Sequence, residues 1–239
     1  MTEQNRPVAV VTGASQGLGL ALATELAARG WSLVVDARHG DVLSAATAGL
    51  AGGPHPAVAG DVADPAHRRE LVDVAAELGG ARLLVNNAST LGASPLPALA
   101  DLDPATYLRL LEVNLVAPLA LTAALLPQLR RHGGVVLNVS SDAAVEAYET
   151  WGGYGSAKAA LDHASRVLAA EEPRVTVYAV DPGDMRTQMH QDAFPGEDIS
   201  DRPEPATVVP ALLGLVEGDL PGGRYRASEL AAPALGVSA

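Results

Sequence analysis

The stretch that decides the fold is Pro7-Val8-Ala9-Val10-Val11-Thr12-Gly13-Ala14-Ser15-Gln16-Gly17-Leu18-Gly19. It joins an uncharged run of small and β-branched residues to a glycine-rich turn, and leucines follow at helical spacing. This pattern predicts a buried strand, a tight turn and a helix. Glycines let the backbone adopt positive φ and let a ligand approach closely, and the first turn of a helix attracts anions. The stretch therefore favours a pyrophosphate site, formed by Gly13, Ser15, Gln16, Gly17, Leu18 and Gly19.

The same turn supports a second interpretation. Gly13-Ala14-Ser15-Gln16-Gly17 satisfies G-x-S-x-G, the nucleophile elbow of α/β hydrolases, which also lies on a strand, a turn and a helix. An elbow requires an upstream strand for its oxyanion hole, and an acid and then a histidine downstream. Ser15 follows the first predicted strand, so a hydrolase is the remote alternative.

Composition narrows the class of partner. The chain has 239 residues, a net charge of −12 and no cysteine. The negative charge disfavours nucleic acid and anionic membranes as partners, and the lack of cysteine excludes disulfides and thiolate sites. The six histidines show no metal-binding spacing, so we expect no metal. We expect a cytoplasmic protein with a small-molecule substrate, because no uninterrupted apolar run reaches membrane-spanning length.

Predicted strands alternate with predicted helices along the chain. This alternation predicts an α/β fold with a doubly wound parallel sheet of the Rossmann type, six to seven strands in a single domain spanning residues 1–239. Ligands of such sheets bind outside the carboxyl ends of the strands. Polar residues follow the predicted strands at these ends: Asp36 to Arg38, Asp61, Asn86 and Asn87, Ser141, and Pro182 with Gly183.

Tyr154 and Lys158 are four residues apart on a predicted helix and therefore share one face. An ammonium group beside a tyrosine favours the phenolate, which suits general acid–base chemistry. Ser141, on the loop before that helix, could hydrogen-bond the same substrate oxygen. The three residues predict proton transfer at a carbonyl or an alcohol.

In this order and spacing, the motifs resemble those of the short-chain dehydrogenase/reductase family over nearly the whole chain. Thr12-Gly13-x-x-x-Gly17-x-Gly19 resembles its cofactor fingerprint. The resemblance implies hydride transfer between a nicotinamide cofactor and a carbonyl or secondary alcohol. It assigns Tyr154 as acid/base, Lys158 as its pKa-lowering and ribose-binding partner, Ser141 as donor to the substrate oxygen and Asn114 as anchor of a water relay. It assigns further cofactor contacts to Asp61, Val62, Asn87, Ala88, Tyr154, Lys158, Pro182, Gly183 and Thr187.

The end of the second strand bears on cofactor choice. An acid at this point binds the ribose hydroxyls of NAD, whereas an arginine can pair with the 2′-phosphate of NADP. By alignment with the family, Ala37 falls on the acidic position and Arg38 on the basic one, which favours NADP. A slip of one residue would place Asp36 there and leave NAD as the alternative.

Other features depart from the family or extend it. Ser89 replaces its usual glycine after Asn-Asn-Ala, and Gly222 to Ala227 lacks its frequent glycine-rich closing strand.

Residues 188–205 lack periodicity and are predicted to form a mobile substrate lid. Apolar helices at Pro104 to Arg131 and Gly152 to Ala170 predict a homo-oligomer, a tetramer or dimer. The functional alternative is a catalytically idle cofactor-binding regulator or sensor.

Overall fold

The computed structural model describes residues 6–230, in which seven strands form one parallel sheet flanked by helices. The strands are β1 (Val8–Val11), β2 (Ser32–Ala37), β3 (Ala57–Ala59), β4 (Ala81–Asn86), β5 (Val135–Val139), β6 (Thr176–Asp181) and β7 (Gly223–Arg226). The helices are α1 (Gly17–Ala28), α2 (Gly40–Thr47), α3 (Pro65–Glu77), α4 (Pro104–Leu111), α5 (Ala117–His132), α6 (Gly152–Glu171), α7 (Gln188–Ala193) and α8 (Val209–Glu217). The predicted Rossmann-type sheet is confirmed. The domain prediction also covers residues 1–5 and 231–239, which lie outside the described residues.

The strand order is β3-β2-β1-β4-β5-β6-β7. The chain builds the sheet outwards from β1 to β3, then returns to the other side of β1 and continues from β4 to β7. The neighbouring strands β1 and β4 therefore send their following segments to opposite faces, and a crevice opens beyond their carboxyl ends. This crevice is where the predicted site residues meet.

The C-terminal segment differs from its prediction. Gly223–Arg226 pairs in parallel with β6, with Tyr178 opposite Gly223 and Asp181 opposite Arg226. The segment forms a strand without the family's glycine-rich pattern, because its edge position requires pairing on one side only. The sheet therefore has the upper of the two predicted strand numbers.

Helix starts follow from local side-chain chemistry. Asp64 caps α3 by accepting a hydrogen bond from the Ala66 N–H over 2.8 Å, and Asp103 caps α4 by accepting one from the Thr106 N–H over 2.9 Å. A proline follows each aspartate at the start of the helix, where its missing N–H costs nothing. Each Asp-Pro pair thus marks the start of a helix.

The sheet interior contains a polar row directly below the crevice. Asn86 on β4 lies opposite Asn138 on β5, and its Nδ2 donates to Asn138 Oδ1 over 2.7 Å and to Thr122 Oγ1 over 3.1 Å. Asn138 Nδ2 donates in turn to Ser165 Oγ on α6 over 2.8 Å. All four side chains are buried, so these bonds hold β4, β5, α5 and α6 in a fixed relation where water cannot compete.

The long helix before β5 contains Pro118, and a proline inside a helix lacks the N–H for a hydrogen bond and crowds the carbonyl four residues earlier. The helix is irregular just before this proline, as a π-helical turn over Glu112–Val116. The π turn contains the buried Asn114, and such turns are frequent at functional sites.

Counted through the π turn, Pro104–His132 is one helix of 29 residues. Among the described residues it alone has the length and apolar composition of a membrane span. Of its apolar stretch, 44% is buried inside the structure. Core helices of soluble proteins pass the same test, and Leu121, Leu125 and Leu129 of this helix pack under the sheet. The helix is accordingly weak evidence for a membrane protein.

Candidate active site

A cavity of about 780 Å³ opens at the carboxyl ends of the strands. Sixteen of the predicted site residues line it: Gly13, Ser15, Gln16, Gly17, Leu18, Arg38, Asp61, Val62, Asn87, Ala88, Ser141, Tyr154, Lys158, Pro182, Gly183 and Thr187. Two do not line the cavity. Gly19 packs behind the glycine turn, and Asn114 is buried behind the loop that follows β4.

Two glycines of the turn, Gly13 and Gly19, have no room for a side chain. A Cβ on Gly13 would lie 2.9 Å from Ala88 Cα, and one on Gly19 would lie 2.2 Å from the Gly13 carbonyl oxygen. Gly13 and Gly17 also have positive φ, at 66° and 56°. The α1 N-terminus carries no side-chain cap and no acid in its first turn. The turn thus presents bare backbone N–H groups to the cavity, which suits an anion such as a pyrophosphate.

Two strand ends are joined at this turn by Thr12 and Asn87. Asn87 Nδ2 donates to the carbonyl oxygens of Thr12, over 2.9 Å, and Gly13, over 3.0 Å. The Thr12 hydroxyl accepts from the backbone N–H groups of Asn87 and Ala88, each over 3.0 Å. The segments after β1 and β4 therefore form one rigid wall.

At one end of the cavity, Asp61 lies between two arginines. Arg109 forms an ion pair with the Asp61 carboxylate, and the charge of Arg38 also acts on it. Burial opposes ionisation of Asp61, but the Ala63 N–H, Arg109 and Arg38 together lower its pKa. Arg109 comes from α4, 48 residues away in sequence, and no local motif predicted it.

The neighbouring Asp36 also lines the cavity, but its carboxylate already has a partner. Its side chain is buried and lies 2.6 Å from Nε2 of the buried His67. Burial raises the pKa of Asp36, and the hydrogen bond to Asp36 raises the pKa of His67. Arg38, by contrast, is exposed on the cavity lining. Asp36 and Arg38 therefore have different environments, which agrees with the alignment that places Arg38, and not Asp36, at the cofactor-selecting position.

Tyr154 and Lys158 share one face of α6, as predicted, and both are buried. Lys158 Nζ lies 5.5 Å from the Tyr154 ring centroid and donates to the Val139 carbonyl oxygen over 2.8 Å. The pKa of Tyr154 was expected to be lowered. Burial instead raises the Tyr154 pKa to about 12, although the hydroxyls of Ser89 and Ser141 oppose the rise. Burial also lowers the pKa of Lys158 to about 8, opposed by Asp162.

Ser141 begins the loop after β5. Its hydroxyl donates to Asp142 Oδ1 over 3.0 Å and accepts from the Ala143 N–H over 3.2 Å. Because the Ser141 hydroxyl donates its hydrogen bond to Asp142, it must rotate before it can donate to a substrate oxygen. Asp142 also accepts from the Tyr148 hydroxyl over 3.0 Å.

Asn114 reaches the site through the loop after β4. Its Oδ1 accepts from the Thr90 N–H over 2.9 Å, and its Nδ2 donates to the Thr90 carbonyl oxygen over 2.8 Å. The Ser89 hydroxyl donates to the same Oδ1 over 3.1 Å. Ser89, the residue in the family's glycine position, thus connects Asn114 to Tyr154.

The segment after β6 forms the remaining wall. Gly183 donates its N–H to Asp181 Oδ1 over 3.0 Å, and Thr187 caps α7 through His190 N. The predicted lid contains this short helix, and the Ser94 hydroxyl donates to the Asp192 carbonyl oxygen over 2.6 Å. Met189, His190 and Phe194 line the cavity; all three lie within the predicted lid, although the sequence analysis named none of them individually.

The site does not resemble a hydrolase site. Ser15 lines the cavity at the glycine turn, and no histidine of the described residues hydrogen-bonds to it. Residues 6–230 likewise contain no group of three or more histidine and acidic side chains that could hold a metal ion.

Comparison with known proteins decides the family. The sequence model of the short chain dehydrogenase family matches residues 7–198. The chain belongs to the short-chain dehydrogenase/reductase family. It is therefore an oxidoreductase of the Rossmann fold, as the motifs predicted, and the hydrolase alternative is withdrawn.

Individual members of the short-chain dehydrogenase/reductase family support this assignment. The chain is 38% identical to sepiapterin reductase of Meriones unguiculatus over 200 residues, 77% of this chain and 76% of the relative. The solved KRED1-Pglu enzyme shares 32% identity at a TM-score of 0.83, covering 92% of this chain and all of the other. An alcohol dehydrogenase from Thermococcus sibiricus, solved with 5-hydroxy-NADP, shares 26% identity at a TM-score of 0.81, covering 93% and 96%.

Proposed function

We propose that this protein reduces a carbonyl compound to an alcohol with NADPH, with Tyr154 as the proton donor. The observation that carries the proposal is the single cavity that joins the glycine turn to Tyr154, Lys158 and Ser141. The relative named sepiapterin reductase supports the direction of reduction, and the alcohol dehydrogenase solved with 5-hydroxy-NADP supports NADP as the cofactor.

The cavity residues fit a dinucleotide cofactor. The glycine turn would hold the pyrophosphate, since it offers bare N–H groups and has no room for a side chain at Gly13 or Gly19. Asp61 and Val62 would contact the adenine, and Arg38 would pair with the 2′-phosphate. Asn87, Ala88, Pro182, Gly183 and Thr187 would hold the nicotinamide half. When bound, NADPH supplies the hydride.

The protein groups then handle the proton. In reduction, Tyr154 would donate its hydroxyl proton to the carbonyl oxygen, which becomes the hydroxyl oxygen of the alcohol. A tyrosine with a pKa raised to about 12 retains that proton at neutral pH and is ready to donate it. Ser141 would donate to the same oxygen after turning from Asp142, and Lys158 would bind the ribose. Asn114 would hold the water that returns a proton to Tyr154.

Further proposals concern the lid, the location, the partners, the oligomeric state and the domain organisation. Residues 188–205 would act as a lid over the bound substrate, since Met189 and Phe194 line the cavity. The chain would work in the cytoplasm, with no nucleic-acid or membrane partner, and as a homo-oligomer. We treat residues 1–239 as a single domain.

The test is NADPH oxidation followed at 340 nm with aldehydes, ketones and sepiapterin. Tyr154→Phe should lower turnover by about 10²–10⁴-fold while the Kd for NADPH stays within about twofold, because only the hydroxyl is lost. Tyr107→Phe is the matched control, since Tyr107 bonds Ser156 outside the cavity. NADPH binding without turnover of any substrate would favour the idle regulator, and near-normal turnover in Tyr154→Phe would refute the mechanism.

A further inference from the structure

The aromatic residues of this chain are concentrated in one place. The sequence contains only eight of them, two Trp, five Tyr and one Phe. Four of the eight line the cavity: Tyr148, Trp151, Tyr154 and Phe194. The core elsewhere is packed mainly from Ala, Val and Leu. General packing therefore does not account for this group, and its position beside the proposed proton donor indicates a role in binding.

These rings form a connected wall beside Tyr154. The Trp151 ring meets the Tyr154 ring edge to face, with centroids 5.6 Å apart and planes at 74°. The Phe194 ring centroid lies 6.0 Å from that of Trp151, with the planes at 44°. Leu91 and Met189 add apolar surface to the same cavity. Trp151 and Phe194 are half-buried, so each leaves ring surface available to a bound molecule.

The charges in the cavity divide along its length. Arg38 and Arg109 lie at the Asp61 end. The end with the aromatic wall also contains Lys158, but carboxylates outnumber it there: Asp142, Glu149, Asp181 and Asp184 line this part of the cavity. Asp142 follows Ser141 and accepts a hydrogen bond from its hydroxyl, and Glu149 lies two residues before Trp151. An anionic substrate would meet repulsion at this end, because Asp142 and Glu149 carry the same charge as it does.

We propose that the substrate is a carbonyl compound whose carbonyl carbon bears a flat aromatic ring and which carries no negative charge. The ring would lie against Trp151 and Phe194 with the carbonyl oxygen directed to Tyr154 and Ser141. Aromatic pairs gain attraction beyond the burial of their area, so a flat ring fits this wall better than a saturated ring of equal size. This inference rests on the proposed carbonyl reduction and specifies its substrate class.

Matched substrates separate shape from charge. Acetophenone and cyclohexyl methyl ketone share one carbon skeleton and differ in ring planarity, and we expect kcat/KM with NADPH to be about tenfold higher for acetophenone. Methyl 4-acetylbenzoate and 4-acetylbenzoate differ in one negative charge, and we expect the neutral ester to be favoured by about tenfold. Equal kcat/KM within either pair would overturn the corresponding half of the inference.

Two variants test whether the aromatic wall causes the preference for acetophenone. Phe194→Leu should reduce the acetophenone preference to about threefold or less, because the ring contact is lost while apolar surface remains. Trp151→Leu should do the same, and Phe194→Leu keeps the test valid if Trp151→Leu fails to fold. Trp31→Phe is the control, since Trp31 lies outside the cavity against the other side of the sheet. An unchanged preference in Phe194→Leu would refute the role of the wall.

A binding measurement separates this inference from the proposed function. With NADPH present, 1-phenylethanol and 1-cyclohexylethanol cannot react, because both the cofactor and the alcohol are already reduced. Calorimetric titration of the NADPH-bound protein should give a Kd about tenfold lower for 1-phenylethanol. This result without turnover of any ketone would refute the proposed reaction and retain the aromatic subsite. Turnover of ketones with equal Kd values would refute the subsite and retain the reaction.

Discussion

Arg224 is hydrogen-bonded to the backbone of Ser141. Its Nη2 donates to the Ser141 carbonyl oxygen over 3.0 Å, and its Nε donates to Asp162 Oδ2 over 2.8 Å. Asp162 is buried on α6, one turn beyond Lys158. Arg224 lies on β7, outside the residues matched by the family model. A residue from the last strand thus joins the loop of Ser141 to the helix of Tyr154 and Lys158.

We predict that Arg224 positions Ser141. Arg224→Lys keeps a positive charge beside Asp162 but lacks the planar fork that reaches both partners. We expect kcat/KM for the ketone to fall about ten- to a hundredfold, because small displacements of a catalytic group are costly, while the Kd for NADPH is unchanged.

A double-mutant cycle tests whether Arg224 acts through Ser141. In a Ser141→Ala background, Arg224→Lys should lower kcat/KM by less than about twofold, since the hydroxyl it positions is absent. Arg226→Lys is the matched control on the same strand, because Arg226 lies 3.5 Å from Glu146 and 3.8 Å from Asp181 and does not contact Ser141. Equal losses in both backgrounds would contradict the positioning role.

The lowered pKa of Lys158 predicts that cofactor affinity depends on pH. Burial lowers its pKa from 10.5 to about 8, so the free protein loses the ammonium charge as pH rises through about 8. Affinity that depends on this charge is present below that pH and lost above it. We expect the Kd for NADPH, measured by fluorescence titration, to rise about tenfold between pH 7 and pH 9.5. Lys158→Met should bind more weakly at pH 7 and show a flat profile; a parallel rise in that variant would assign the effect elsewhere.

Arg38 predicts the cofactor preference. Its guanidinium lines the cavity, whereas the Asp36 carboxylate is buried against His67. Arg38→Ala should lower kcat/KM with NADPH by about ten- to a hundredfold and leave the value with NADH nearly unchanged, because only the 2′-phosphate loses a partner. Arg69→Ala, an exposed arginine on α3, controls for the change in net charge. A native preference for NADH would show that the assignment is wrong.

The exposed apolar surface of the long helices predicts self-association. Leu108 is 62% exposed, Val116 51% and Val167, on the adjacent α6, 43%. A helix apolar on more than one side requires burial on both. Light scattering at micromolar concentration should give a dimer or tetramer, and Val167→Glu should shift it to a monomer. Leu220→Glu, at an equally exposed leucine outside these helices, should not. A monomeric native protein would contradict the prediction.

Sequence reasoning recovered the parts of the site that local motifs specify. The glycine turn, the strand ends and the Tyr154 to Lys158 spacing all depend on residues close in sequence, and sixteen of the eighteen predicted site residues line one cavity. The glycine turn and the Tyr154 to Lys158 pair follow from period and turn chemistry, whereas the family resemblance implied the roles of residues such as Val62 and Thr187.

What the sequence could not predict depends on tertiary contacts. Arg109 meets Asp61 from 48 residues away, and Arg224 meets Ser141 from 83. The expected pKa of Tyr154 was wrong in sign because it considered the neighbouring Lys158 and not burial, which is the larger effect. No spacing pattern reveals how deeply a side chain is buried.

The π turn at Glu112–Val116 has a consequence for protein engineering. Each residue of an α-helix advances the chain by about 100°, so a π turn is equivalent to one residue inserted into a regular helix. Deleting one residue within it would return these residues to α-helical geometry, although Pro118 would still lack an N–H inside the helix. The same deletion would rotate α5 by about 100° relative to α4 and swing Thr122 away from Asn86. A more regular helix would therefore disrupt the packing of α5 on the sheet. A stabilising redesign should leave these five residues unchanged.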